Sequence, residues 1–121
     1  MEIVNNKYYT GFEGEPEIQL ICKNKEEIHK IIIWEGFFDE IMKAIVPEEH
    51  GWTGLAYYYN MNLGWYEEGP WIIDDLQMAI WQLNTLDCKS LSSEACEILK
   101  LICNMFKEAI DNGLDVCIIR E

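Results

Sequence analysis

Apolar and polar residues change their spacing several times along this chain, and each change marks an element. In "EIQLIC" and "IHKIIIW", β-branched residues cluster between turn-forming stretches, "GFEGEPE" before and "KNKEE" between, which predicts two strands. Ile28, Ile31, Phe38, Ile41 and Ile45 also fit one long helix from Asn24 to Val46. Gly36 in its middle and the three successive isoleucines favour instead a strand and then a helix from Phe37 to Val46, stopped by Pro47. In "GPWIIDDLQMAIWQLNTL", Ile72, Ile73, Leu76, Ala79, Ile80, Leu83 and Leu86 make one apolar stripe at helical spacing. Gly69 reads there as a cap and Pro70 as the first helical position, so Asp74 and Asp75 fall near the positive end of the helix dipole. A second clear helix is "SSEACEILKLICNMFKEAIDNG", capped by a serine and closed by Gly113, with Ala95, Leu99, Ile102, Phe106 and Ala109 inward.

Residues 51–62 carry both periods. Trp52, Leu55 and Tyr59 suit a helix, whereas Leu55, Tyr57, Tyr59 and Met61 suit a strand; helix is the reading adopted. The closing "LDVCIIRE" suits a terminal strand that joins the N-terminal sheet. These elements predict a single α+β domain over residues 1–121. Its small, mainly antiparallel sheet combines the N-terminal strands with the C-terminal one and is packed on one side by three to four helices.

Charge changes the picture more than length does. Twenty-two acids against nine bases give −13, beyond the magnitude of about 2–8 that keeps a small domain soluble. Such a field repels nucleic acid and anionic membrane and speeds encounter with a basic partner. "MEIVNNKYYTG" shows no basic stretch followed by an apolar run, and no apolar stretch approaches membrane-spanning length. The expectation is a soluble cytoplasmic protein, with a monomer as the default state.

Catalytic constellations are sparse. Cys22, Cys88, Cys96, Cys103 and Cys117 are odd in number and contain no C-x-x-C pair, so they read as small hydrophobes in a reducing compartment. Cys96 and Cys103 share a helical face with Leu99 and Phe106. Glu26 and His29 form one E-x-x-H, but a di-iron site needs a second such pair. Acidic pairs recur at Glu26–Glu27, Glu48–Glu49, Glu67–Glu68 and Asp74–Asp75, and neighbours on a helix do not face one another. No G-x-S-x-G, P-loop or dinucleotide pattern occurs. The reading is therefore a non-enzyme with no catalytic residue, metal site or cofactor.

What stands out is a base-free middle. Between Lys43 and Lys89 there is no lysine or arginine, while seven acids, four of the five tryptophans and four of the six tyrosines fall there. Tyrosine and tryptophan offer broad, stiff contact area and are enriched among binding hot spots. Carboxylates around them would pair with a partner's cations. At about 100° per residue, Met78 and Trp81 lie opposite the stripe centred on Leu76 and Leu83, on the same side as Asp74 and Thr85. The candidate partner-binding residues are Trp65, Tyr66, Glu67, Glu68, Trp71, Asp74, Asp75, Met78 and Trp81. The competing expectation is a helix buried on both sides, with Trp81 inside.

In its short α+β character, strong acidity and the "GWYEEGPWIIDDLQMAIWQL" stretch leading into a helix, the chain resembles the small immunity proteins of bacterial polymorphic-toxin and contact-dependent growth-inhibition systems. The resemblance covers overall character over most of the chain. It implies a stoichiometric inhibitor that binds a cognate basic toxin domain, with a nuclease the expected activity, and no binding residue carries over by motif. Three alternatives stay open: an inhibitor that mimics nucleic acid toward a regulatory or nucleic-acid-binding target, a small metal-dependent enzyme using Glu48, Glu49 and His50, and an acidic domain whose aromatics are all internal to its core.

Overall fold

The computed structural model describes all 121 residues. Strands β1 (Glu2–Asn5), β2 (Glu17–Lys23) and β3 (Ile28–Trp34) lead into helix α1 (Glu35–Ala44) and helix α2 (Gly54–Met61). Strand β4 (Trp71–Ile72), helix α3 (Leu76–Asn84), helix α4 (Ser93–Asp111) and strand β5 (Val116–Arg120) complete the chain, with short 3-10 turns at Gly64–Tyr66 and Cys88–Ser90. The sheet runs β1-β3-β2-β5-β4, and only the β1–β3 pair is parallel. The fold is α+β with a mostly antiparallel sheet.

Period-two alternation decides which face is covered. Ile18, Leu20 and Cys22 of β2 stand beside Ile33, Ile31 and His29 of β3 and, on the other flank, Val116 and Ile118 of β5. The apolar members of this set are all buried. The helices pack on this face, and Phe38, Ile41, Leu83, Ile98, Ile102 and Phe106 close the core. Helix α4 presents the predicted residues Ala95, Leu99, Ile102, Phe106 and Ala109 inward, with Ile98 and Met105 added. Its N-cap Ser92 accepts from the Ala95 amide at 3.2 Å, and the Glu40 carboxylate of α1 accepts from both the Ser92 amide and its hydroxyl. Helices α1 and α4 are thereby joined at a cap.

Three expectations need correction. Helix α1 begins at Glu35, ahead of Gly36. Gly36 does not break the helix: a Cβ there would fall 2.4 Å from the Trp34 indole, so the missing side chain makes room for that ring. The predicted helix from Pro70 is divided. Trp71 and Ile73 point in, Ile72 points out and is half exposed, and the segment pairs with β5 before α3 starts at Leu76. Here β-branched residues follow a two-residue period, and strand pairing prevails over a helical stripe that needed both isoleucines inward. Finally, Cys88 and Cys96 form a disulfide between the turn after α3 and the first part of α4, leaving Cys22, Cys103 and Cys117 free. The expectation of five unbonded thiols fails for this pair, which backbone proximity across one tight turn brings together.

Candidate functional site: an acidic cleft between two helices

The base-free stretch folds into α2, the following turn, β4 and α3. Its aromatics sort into supports and surface. Trp65 is 3 % exposed and Trp71 is also buried. Trp65 packs on Phe38 and Trp71 with ring centroids 5.5 Å apart in each case, and Tyr58 lies 4.6 Å from Trp71. Gly64, at φ +65°, permits this cluster, because a Cβ would press at 3.3 Å on both the Trp71 ring and Tyr58. Trp65 and Trp71 therefore belong to the core and cannot meet a partner as free rings. Trp81 behaves oppositely: it is 54 % exposed on α3, and Met78, one turn earlier, is half-buried.

A cleft of about 250 Å³ opens beside this stripe, between α2 and the start of α3. Leu55, Trp71, Ile73 and Ala79 supply its apolar lining, and Tyr58, Asp74, Asp75 and Met78 its more polar side. Four of the predicted residues, Trp71, Asp74, Asp75 and Met78, thus converge on one concavity. Tyr58 donates its hydroxyl proton to Asp74 at 2.8 Å, and this bond raises the phenol above its usual value, since losing the proton would set two anions together. Asp75 is the N-cap of α3 and accepts from the Met78 amide at 3.0 Å. Both carboxylates are exposed.

The cleft keeps its shape through Gln82, the one buried polar side chain. Its amide nitrogen donates to the Thr53 carbonyl at 2.8 Å, and its amide oxygen accepts from the Ala56 amide at 3.4 Å. Thr53 occupies the N-cap of α2 but makes no side-chain cap bond, and its hydroxyl oxygen is buried without a partner. Gln82 therefore caps α2 from the neighbouring helix.

Tyr66, Glu67 and Glu68 go elsewhere. The two glutamates are exposed on the turn before Pro70. Tyr66 is half-buried, 5.7 Å from the Arg120 guanidinium and 6.3 Å from Tyr59. This second cluster is one the sequence reading did not single out. Arg120 bonds Glu35, which raises the guanidinium further. Burial, then the Glu35 charge, pushes the Asp39 carboxyl up, while its bond from Tyr59 pulls the other way. Burial, then Asp39, raises the Tyr59 hydroxyl. Every carboxylate and phenol there has a neighbour, and the arrangement reads as a packed network.

Tyr57 and Met61 were also missed as surface candidates. They are exposed four residues apart on α2, a spacing legible once that segment is read as helical. Glu48, Glu49 and His50 sit in an exposed turn closed by the Glu48–Gly51 bridge. A separate cleft of about 270 Å³ lies between β1 and the second half of α4, with no residue from the base-free stretch. No helix is long and apolar enough to cross a membrane.

No protein-family model matches the chain, and neither curated proteins nor solved structures give a match.

Proposed function

We propose that this protein is a stoichiometric inhibitor of a basic protein, of the kind an immunity protein provides against a toxin domain. The single observation that carries the reading is the exposed Trp81 with Met78, Asp74 and Asp75 along one side of α3 and the adjoining cleft. An exposed tryptophan on a helix whose start carries two carboxylates with no paired cation fits a hot-spot contact for a cationic surface. An arginine or lysine of the partner would lay its apolar stem along Met78 and Tyr58 and set its charge against Asp74 and Asp75. Glu67 and Glu68 add to the field that steers the partner in, and Trp71, backed by the buried Trp65, forms part of the cleft's floor.

The test is co-expression with a basic toxin domain encoded beside this gene. Protection of the host cell and a one-to-one complex are the expected results. Asp74→Asn with Asp75→Asn removes both charges while keeping a capping side chain at Asp75, and Trp81→Ala removes the ring; each should reduce protection. Full protection by the triple variant would sink the assignment of this surface.

A further inference from the structure

Strand β1 is one edge of the sheet, and the second half of α4 runs beside it without closing on it. The cleft of about 270 Å³ between them has an apolar floor and a polar rim, and both follow from residue spacing. On the sheet side, Ile3 stands beside His29 and His29 beside Cys22, so these residues share the helix-facing side with Ile31. On the helix side, Leu101, Met105 and Ala109 recur every fourth residue and form the inner row. Asn104, Glu108 and Asn112 recur in the same way and form the outer row, all three exposed. Cys22, Ile31, Met105 and Ala109 are buried members of the core cluster, so the cleft reaches down to the core.

Two bases and one acid line this cleft. Both bases are already engaged: His29 meets Glu27 at 2.9 Å, and Lys30 meets Glu2 at 3.5 Å. Glu108 belongs to none of the protein's ion pairs. Its carboxylate bears on the floor, because burial and then the Glu108 charge push the Cys22 thiol up, with Asp115 adding in the same sense. One turn on, the Asn112 amide nitrogen donates to the Glu108 carbonyl at 2.8 Å, which leaves its amide oxygen as an acceptor at the rim. A negative, acceptor-bearing rim over an apolar floor, in a chain of −13, rejects an anion and suits an ammonium with an apolar body.

Size and floor chemistry narrow the body further. A dry cavity of about 150 Å³ holds one benzene ring, so this cleft has room for a ring and a short arm. The Met105 thioether on the floor favours an aromatic ring over an alkyl chain. Glu108 lies about 4.5 Å beyond Met105 along the helix axis, the reach of a two-carbon arm from ring to nitrogen. We propose that this cleft binds a small aryl-alkyl amine, its ring on Met105 and Ile31 and its ammonium held by Glu108 and the Asn104 and Asn112 amide oxygens. The inference stands apart from the inhibitor reading, since no residue lining the cleft lies in the base-free stretch.

Titration of the full ¹⁵N-labelled chain with 2-phenylethylamine at neutral pH, read from the amide shifts, tests it. Saturable shifts should centre on Met105, Glu108 and Ala109, with a dissociation constant of about 0.1–1 mM for a ligand this small. Two further ligands separate charge from ring: 3-phenylpropionate reverses the charge on the same ring and arm, and n-butylamine keeps the ammonium without the ring. Each should bind at least about tenfold more weakly. Glu108→Gln should weaken the amine about tenfold and erase its advantage over the propionate. Ile3→Trp, which fills the cleft from its exposed edge, should abolish binding. Both substitutions are at exposed positions, and a thermal melt of each checks the fold. No saturable shift up to about 10 mM amine, equal binding of the propionate, or shifts spread over the surface acids that Glu108→Gln leaves unchanged would each overturn the proposal. Asp74→Asn with Asp75→Asn should leave amine binding unchanged, so failure of the inhibitor surface and of this cleft are read separately.

Discussion

Gln82→Leu isolates the tie that shapes the cleft. The side chain is 4 % exposed and makes two hydrogen bonds to the start of α2. Leucine nearly conserves volume, so the loss is polar. The Thr53 carbonyl keeps the Tyr57 amide at 3.2 Å and is not orphaned. The Ala56 amide, at the third position of α2 and fully buried, has no other acceptor there. Leaving a buried donor unpaired costs about 1–3 kcal/mol. The original bond is long, which places this loss low in that range, and the lost carbonyl bond adds about 0.5–1 kcal/mol. The expected total is about 2 kcal/mol. Unfolding entropy of about 2.1 cal/mol/K per residue over 121 residues makes 1 kcal/mol worth about 4 °C, so the melt should fall by about 8 °C. Urea unfolding with an unchanged slope measures the free-energy difference directly. Gln82→Glu should be worse at neutral pH, because a carboxylate cannot donate to Thr53 and is desolvated, and it should recover as acid protonates it. A Gln82→Leu loss below about 0.5 kcal/mol, within the ordinary range for surface substitutions, would refute the cross-helix cap.

Trp81→Ala should leave stability within about 0.5 kcal/mol, whereas Trp65→Ala should cost about 3–5 kcal/mol, since one ring is half in solvent and the other packs on Phe38 and Trp71. Equal losses in paired denaturation curves would mean Trp81 is a core residue. Cys88→Ser should lower the stability of the oxidised protein by about 2–3 kcal/mol, the loop-closure value for so short a loop, and should change nothing under reductant; a mass shift on thiol labelling of the unfolded wild type counts the bonded pair. Asp39→Asn should gain over wild type as pH rises. A folded carboxyl held above its usual value favours the protonated chain, so its contribution is present in acid and lost as pH climbs through the folded value. Melts from about pH 4 to pH 7 should therefore separate in favour of the variant, and parallel curves would contradict the burial argument.

The capping serine and the apolar stripe of α4 were legible in the sequence because one helical period runs unbroken behind a cap; β2 and β3 were legible from clustered β-branched residues although β3 also fitted a helical period, and β1 was not predicted. The Trp71–Ile73 segment was not, because β-branched residues that also fit a helix were drawn into the sheet by β5, a partner distant in sequence. Angle set Trp81 opposite the apolar stripe but left a helix buried on both sides equally open, and only packing decides that it is exposed. Trp65 and Trp71 were misplaced as contact residues because hot-spot composition and core composition are the same for tryptophan, and only packing tells them apart. The Cys88–Cys96 bond escaped notice since spacing says nothing of a tight turn that doubles the chain back.

The proposed role needs the outward, base-free face of α3 to engage a cationic protein. The direct measurement is the association rate, across a range of ionic strength, with a basic toxin domain sought in the neighbouring reading frame. The rate should fall at least about tenfold from low to high salt, and Asp74→Asn with Asp75→Asn should flatten that slope. Association as fast at high salt as at low, with the same slope in the charge variant, would contradict it.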